Sequence, residues 1–252
     1  MTPRWLPDAL LHTNAALRVF CLPHAGAGAS AYRLWNRELP PELQLCPVQL
    51  PGRENRLGER PREDARILTR ALADALRPFL DRPYVVFGHS MGALLAYELT
   101  CELRRRKLQL PEHLFLSAHR APHVPGRLPH IHLSDRAAFR AELKQMDGTP
   151  AAVLEQEELM QIAEPILRAD FKLCETYTWE PTEALDIPMS VFGGLHDTRV
   201  SRAVLEPWQQ HSRRPVQLRM FPGGHLFVQQ CRSEVVSAML EGLRIETVRF
   251  TL

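Results

Sequence analysis

The sequence has no dominant charge, no long apolar run and no paired cysteine spacing, and each lack removes a class of protein. Thirty-one Lys and Arg stand against 29 Asp and Glu, a formal charge of +2, too weak a field to mark a nucleic-acid partner. The uncharged stretch 83–97 is only 15 residues long and holds Gly88, His89, Ser90 and Gly92, so it does not read as a membrane span. The N-terminal stretch is interrupted by Asp8, His12, Thr13 and Asn14 and lacks the apolar region of a signal peptide. Cys21, Cys46, Cys101, Cys174 and Cys231 are odd in number without C-x-x-C spacing, which fits a reduced, cytoplasmic compartment. Glycine and proline total 34 of 252 residues, too few for a low-complexity chain, and no repeat is visible. With 45% hydrophobic and 24% charged residues, the composition is that of a globular protein, and the length suits a single domain over 1–252.

What is present alternates strand and helix. Short apolar runs rich in β-branched and aromatic residues predict strands at 17–22, 43–50, 84–87, 113–117, 187–192 and 216–221. Helical spacing marks 65–80 and 93–103, and again 135–146 and 155–176 after a connector containing Pro122, Pro125 and Pro129. Strand and helix alternating on both sides of one helical insertion predict an α/β fold: a mostly parallel sheet with helices on both faces and the insertion, about 133–176, over one end.

Gly88-His89-Ser90-Met91-Gly92 matches G-x-S-x-G between a predicted strand and a predicted helix, the context that motif requires. Small residues are needed at both ends because the serine sits on a strained turn where a Cβ at 88 or 92 would strike backbone. Ser90 is therefore the candidate nucleophile, and the Met91 N–H at the helix start is a candidate oxyanion donor. A serine hydroxyl needs a base held by a carboxylate. In this architecture the chain order is Ser, acid, His. His225, in F-P-G-G-H after the last strand, is the expected base. Asp197, after the strand and Gly193-Gly194 turn, is the expected acid. His196 and His211 are rival bases; Asp186 is a rival acid but precedes its strand and belongs at the opposite edge. The loop Pro23–Ala29 offers the second oxyanion donor, with Ala25 N–H the expected group and His24 an organiser of the loop. This loop lacks G-x-G-x-x-G and a Lys-Ser/Thr ending, so it argues against a nucleotide site, and no cofactor is expected. His119, His123, His130 and His132 cluster in sequence, but without H-E-x-x-H and among prolines they do not make a metal frame.

These motifs, with Q-L-P-G-R-E at 49–54, L-F-L-S-A-H-R-A-P at 114–122, L-R-A-D-F at 167–171 and E-T-Y at 175–177, make the sequence resemble the type II thioesterases of polyketide and nonribosomal peptide synthetases. The resemblance implies an α/β-hydrolase fold with a helical lid. It also implies a cytoplasmic serine hydrolase that clears acyl groups from phosphopantetheinyl carrier domains, using Ser90, Asp197 and His225 with oxyanion amides on Ala25 and Met91. Two departures are visible: Ala118-His119 stands where that family more often has Gly-Arg, and Leu226 where Phe is frequent. Termination domains of the same fold follow a carrier domain, whereas about 15 residues precede the first strand here, so a stand-alone, monomeric enzyme is expected. An acidic carrier is expected to dock on the basic stretch Arg53, Arg56, Arg60, Arg62 and Arg66, at the edge where the site opens, rather than on Arg104–Lys107. Two other readings stay open: a carboxylesterase or lipase acting on free esters, and a pseudo-hydrolase that binds a carrier without turnover.

Overall fold

In the computed structural model, residues 4–7, 15–126, 130–146, 148–149 and 151–249 are described, with 244–249 as backbone only. Asp8, His12, Thr13, Asn14 and Pro129, and positions 147 and 150 of the expected lid, lie outside the described residues. The strands are β1 (Leu17–Leu22), β2 (Leu43–Pro47), β3 (Tyr84–His89), β4 (Leu114–Ser117), β5 (Met189–Gly194) and β6 (Gln217–Phe221). They form one parallel sheet in the order β2-β1-β3-β4-β5-β6. The helices are α1 (Ala65–Leu76), α2 (Met91–Arg105), α3 (Arg136–Gln145), α4 (Ala151–Glu155), α5 (Glu157–Glu175), α6 (Arg202–Leu205), α7 (Phe227–Gln230) and α8 (Arg232–Arg249). Among the described residues, none is long and apolar enough to cross a membrane.

A parallel sheet covered on both sides has apolar residues on both faces of each strand. Phe20, Leu22, Val86, Leu114, Leu116 and Val191 join the core with α1 and α2, while the alternate residues Val19, Cys21, Val85, Phe87, Phe115 and Phe192 join the core with Tyr32, Trp35 and α8. Two predicted boundaries moved because of proline. Helix α1 stops at Leu76 and continues only as a 3₁₀ turn over Arg77–Phe79, since Pro78 has no N–H for an α-helical bond. Strand β5 begins at Met189, beyond Pro188, and runs through Gly193 and Gly194, which pair with Met220 and Phe221; the expected Gly-Gly turn is the end of the strand, and the turn starts at Leu195.

The strand order reverses direction at β1 and β3: β1 connects outward to β2, and β3 connects the other way to β4. Loops leaving the carboxyl ends of neighbouring strands at such a point diverge and leave a crevice, where α/β proteins bind ligands. Here those loops are 23–30 and the turn at Ser90. They approach closely because of two glycines. A Cβ on Gly92 would lie 2.1 Å from the Leu22 carbonyl oxygen, and one on Gly88 would lie 2.1 Å from the Gly92 carbonyl oxygen. We expect Gly88→Ala and Gly92→Ala each to lose about 1–3 kcal/mol or more in a urea melt. Gly58→Ala, where a Cβ meets nothing within 4 Å, should stay within about 0.5 kcal/mol; equal stability of all three variants would contradict the close approach.

Candidate active site

Strand β3 ends at His89 and α2 begins at Met91, so a single residue turns the chain. Ser90 does this at φ +55°, ψ −119°, a conformation that costs a non-glycine residue on the order of 1–3 kcal/mol. Its N–H donates to the Ser117 carbonyl at 2.7 Å, which pins the turn to the end of β4. The Ser90 hydroxyl lies 2.8 Å from His225 Nε2, and His225 Nδ1 lies 2.7 Å from Asp197 Oδ2. The three residues expected to act together are thus one hydrogen-bonded chain. With Nδ1–H donating to the carboxylate, Nε2 is free to accept the serine proton.

The two loops that carry His225 and Asp197 are laced together: Leu195 N–H donates to the Phe221 carbonyl at 2.8 Å and His196 N–H to the Gly223 carbonyl at 2.9 Å. His196 itself is exposed, which removes it as a rival. The Asp197 side chain is fully buried and its Oδ1 accepts from the N–H groups of Arg199 and Val200 at 2.9 and 3.0 Å. Burial pushes this carboxyl up, but the His225 hydrogen bond and charge and the two amides outweigh it and hold it below the usual aspartate value. Asp186 pairs instead with Arg214 at the surface. His211 Nδ1 meets the Tyr97 hydroxyl at 3.1 Å and its Nε2 meets His123 Nδ1 at 2.7 Å.

Two backbone amides, those of Met91 and Ala25, have no acceptor among the described residues. Met91 N–H opens α2, where no carbonyl of the helix can reach it. In the β1 loop, Ala27 N–H donates to the His24 carbonyl and Gly26 N–H to Asp170, leaving Ala25 N–H unengaged among the described residues. These two amides are the candidate oxyanion donors named from the sequence. Beside them lies a cavity of about 320 Å³, lined by Ser90, Ala25 and His225 on the sheet side and by Leu143, Leu167 and Phe171 of the inserted helices, within the size range of small-ligand sites. Both departures from the family pattern touch this cavity, through His119 and Leu226. Ala118 carries φ +52°, a conformation that favours the glycine more usual there.

The four connector histidines do not meet at one point: His119 Nδ1 donates to the Arg120 carbonyl at 2.8 Å, His123 meets His211, and His132 pairs with Glu175 and stacks on His130. Among the described residues no cluster of three or more His, Cys, Asp or Glu could hold a metal.

Two of the five arginines expected to form the docking surface, Arg53 and Arg56, are not at the surface, whereas Arg60 and Arg62 are exposed. Arg53 and Arg56 are 4% and 6% exposed. Arg53 grips the Asp170 carboxylate with two nitrogens at 2.7 and 2.8 Å. Arg56 pairs with Glu59, donates to the Gln49 carbonyl and stacks 4.0 Å over Trp5. The run of arginines in sequence is split between buried and exposed positions because 53–56 is a turn, closed by Gly52 N–H donating to the Arg56 carbonyl at 3.0 Å. Asp170 and its partners Arg53 and Gly26 were not singled out as site residues, although a signal existed: a lone aspartate in I-L-R-A-D-F-K-L at the helical spacing of buried Ile166, Leu167 and Leu173.

Burial pushes His24 and His119, near His225, down to about 4 and about 3. Both stay neutral at pH 7 and do not oppose a positive charge on His225. Unfolded imidazoles bind protons near pH 6.5, so unfolding takes up protons between that pH and about 4, and stability falls on acidification through the window. Ring-proton NMR titration should leave His24 neutral down to about pH 5; a midpoint near 6.5 would show that it is not buried as described.

A family model described as thioesterase domain matches residues 17–242. GrsT, a gramicidin S biosynthesis protein of Aneurinibacillus migulanus, is 37% identical over 242 residues, spanning 96% of this chain and 94% of its own. The solved structure of RedJ, a thioesterase of the prodiginine biosynthetic pathway in Streptomyces coelicolor, is 39% identical with a TM-score of 0.84, covering 90% of this chain and 86% of that one. BorB, a type II thioesterase from the borrelidin biosynthetic cluster, is 34% identical with a TM-score of 0.86, covering 95% and 97%. The α/β architecture and the motifs agree with these matches: the chain belongs to the thioesterase domain family.

Proposed function

We propose that this chain hydrolyses acyl thioesters held on the phosphopantetheine arm of acyl or peptidyl carrier domains, releasing aberrant or stalled groups during polyketide or nonribosomal peptide synthesis. Family membership makes thioester hydrolysis the reaction. The similarity to GrsT, RedJ and BorB supports the carrier-bound substrate. The observation that carries the mechanism is the unbroken chain Asp197–His225–Ser90 beside a cavity lined in part by α3 and α5.

In the first step Ser90 Oγ attacks the thioester carbonyl while His225 Nε2 takes its proton, and Asp197 stabilises the imidazolium. The carbonyl oxygen becomes an oxyanion between Ala25 N–H and Met91 N–H. The tetrahedral adduct collapses, the C–S bond breaks, and the thiolate leaves with the proton from His225. Water then attacks the acyl-serine, giving its proton to His225, and the acid departs as Ser90 regains its hydrogen. A thiolate leaves readily, so selectivity falls on carrier recognition and on the acyl cavity. In this reading 1–252 is one catalytic domain and α3–α5 are its lid. A monomer in the cytoplasm suits it, and the five free thiols are compatible with a reducing compartment.

Ser90→Ala should keep its fold and lose on the order of 10⁴–10⁶ in kcat on an acyl-carrier substrate; retention of more than about a tenth would sink the nucleophile assignment. Asp197→Asn should lose roughly 10⁴-fold, since an amide favours the wrong imidazole tautomer, while Asp186→Asn should stay near wild type. Acyl-carrier protein should be hydrolysed far faster than a nitrophenyl ester of the same acyl group. The reverse order would favour the free-ester reading, and failure of Ser90 to react with a fluorophosphonate would favour the non-catalytic binder.

A further inference from the structure

The loop carrying the Ala25 amide is held from outside by side chains of two motifs for which the catalytic steps have no use. From Q-L-P-G-R-E, Gln49 Oε1 accepts from Ala29 N–H at 2.8 Å, Arg53 donates to the Ala27 carbonyl at 3.2 Å, and Glu54 Oε1 accepts from the Ser30 hydroxyl at 2.6 Å. Glu54 adopts φ +46° to do so. From L-R-A-D-F on α5, Asp170 Oδ2 accepts from Gly26 N–H at 2.8 Å. The two motifs meet in the Arg53–Asp170 pair, whose side chains are 5% and 2% exposed.

We propose that Asp170 and Arg53 are positioning residues for the oxyanion hole, acting through the loop and not on the substrate. The inference rests on the catalytic reading above and asks what sets the place of one of its donors. The Ala25 N–H shares a peptide plane with the His24 carbonyl. That carbonyl is fixed by Ala27 N–H at 3.1 Å, and Ala27 is in turn fixed by Arg53. On the other side of Ala25, its carbonyl accepts from His24 Nδ1–H at 3.0 Å, and the next amide, Gly26 N–H, is fixed by Asp170. Both peptide planes flanking Ala25 are therefore referenced to one buried ion pair. Gly26 stands at φ +77°, and a Cβ there would meet Leu167 Cδ2 at 2.5 Å. Helix α5 thus rests directly on the loop, and the helix that walls the acyl cavity is the one that holds the oxyanion donor.

A carboxylate held by two guanidinium nitrogens and one amide has little freedom to shift, and a donor misplaced by about 1 Å can cost on the order of 100-fold in rate. Asp170→Asn retains an acceptor but loses the charge that holds Arg53. We expect kcat to fall roughly 10- to 100-fold with KM within about 3-fold. The affinity of an alkyl boronic acid, which forms a tetrahedral adduct on Ser90, should fall by the same factor as kcat/KM. Binding of an acyl-amide analogue, which resembles only the ground state, should be unchanged. Arg53→Lys keeps the charge but not the two-pronged grip and should lie between wild type and Asp170→Asn; it carries the same test if the asparagine variant does not fold. A folded variant with unchanged boronate affinity, or one that loses boronate and amide analogue equally, would overturn the positioning role. Ser90→Ala run alongside separates the two ideas: activity in that variant would overturn the catalytic reading itself, whereas an inactive Ser90→Ala beside an unaffected Asp170→Asn would overturn only the positioning role.

Discussion

The close approach of Gly92 to the Leu22 carbonyl is the constraint on which the rest of the site depends. It packs the first turn of α2 against the end of β1, so the serine turn and the β1 loop share one crevice at the point where strand order reverses. Tyr32 supports the same carbonyl, its hydroxyl donating to Leu22 O at 2.7 Å. Beside this contact Ser90 holds its positive-φ backbone and its hydroxyl meets His225. Such preorganisation matters because donors already aimed at a developing oxyanion need no reorganisation during the reaction.

Around that crevice the protein spends its buried charge on position and keeps the nearby imidazoles neutral. Asp197 is held by two amides and His225, and Asp170 by an amide and Arg53. His24, His89 and His119 are all driven toward the neutral form by burial, so His225 can take up a proton without a second imidazolium beside it. The inserted helices contribute Leu143, Leu167 and Phe171 to the cavity beside Ser90, while the loops of Asp197 and His225 remain tied to the sheet.

Much of this was legible in the sequence, and the reason is local. The elbow needs two glycines four residues apart between a strand and a helix, so 88–92 declares itself; the acid and base follow because each must leave the carboxyl end of a strand. What was not legible depends on long-range pairing. Arg53 and Arg56 read as part of an exposed docking surface because nothing nearby shows that Asp170, 117 residues away, lies against Arg53, or that Trp5 lies under Arg56. The ends of α1 and β5 shifted where Pro78 and Pro188 withdraw an N–H. Gly193-Gly194 read as a turn because glycine usually marks one, yet β6 pairs with both. The insertion of α3–α5 between two strands was legible, and Leu143, Leu167 and Phe171 of those helices line the cavity beside Ser90, while the contact of α5 with the β1 loop through Asp170 was not.

The measurement that bears most directly on the central claim is rapid-quench mass spectrometry of the enzyme mixed with an acyl-carrier protein. If Ser90 is the nucleophile in the crevice built by β1 and β3, a peptide containing residue 90 will carry the mass of the acyl group within the first turnover and lose it as free acid appears. An acyl adduct on another residue, or release of acid through a full turnover with peptide 90 unmodified at every time point, would contradict the account.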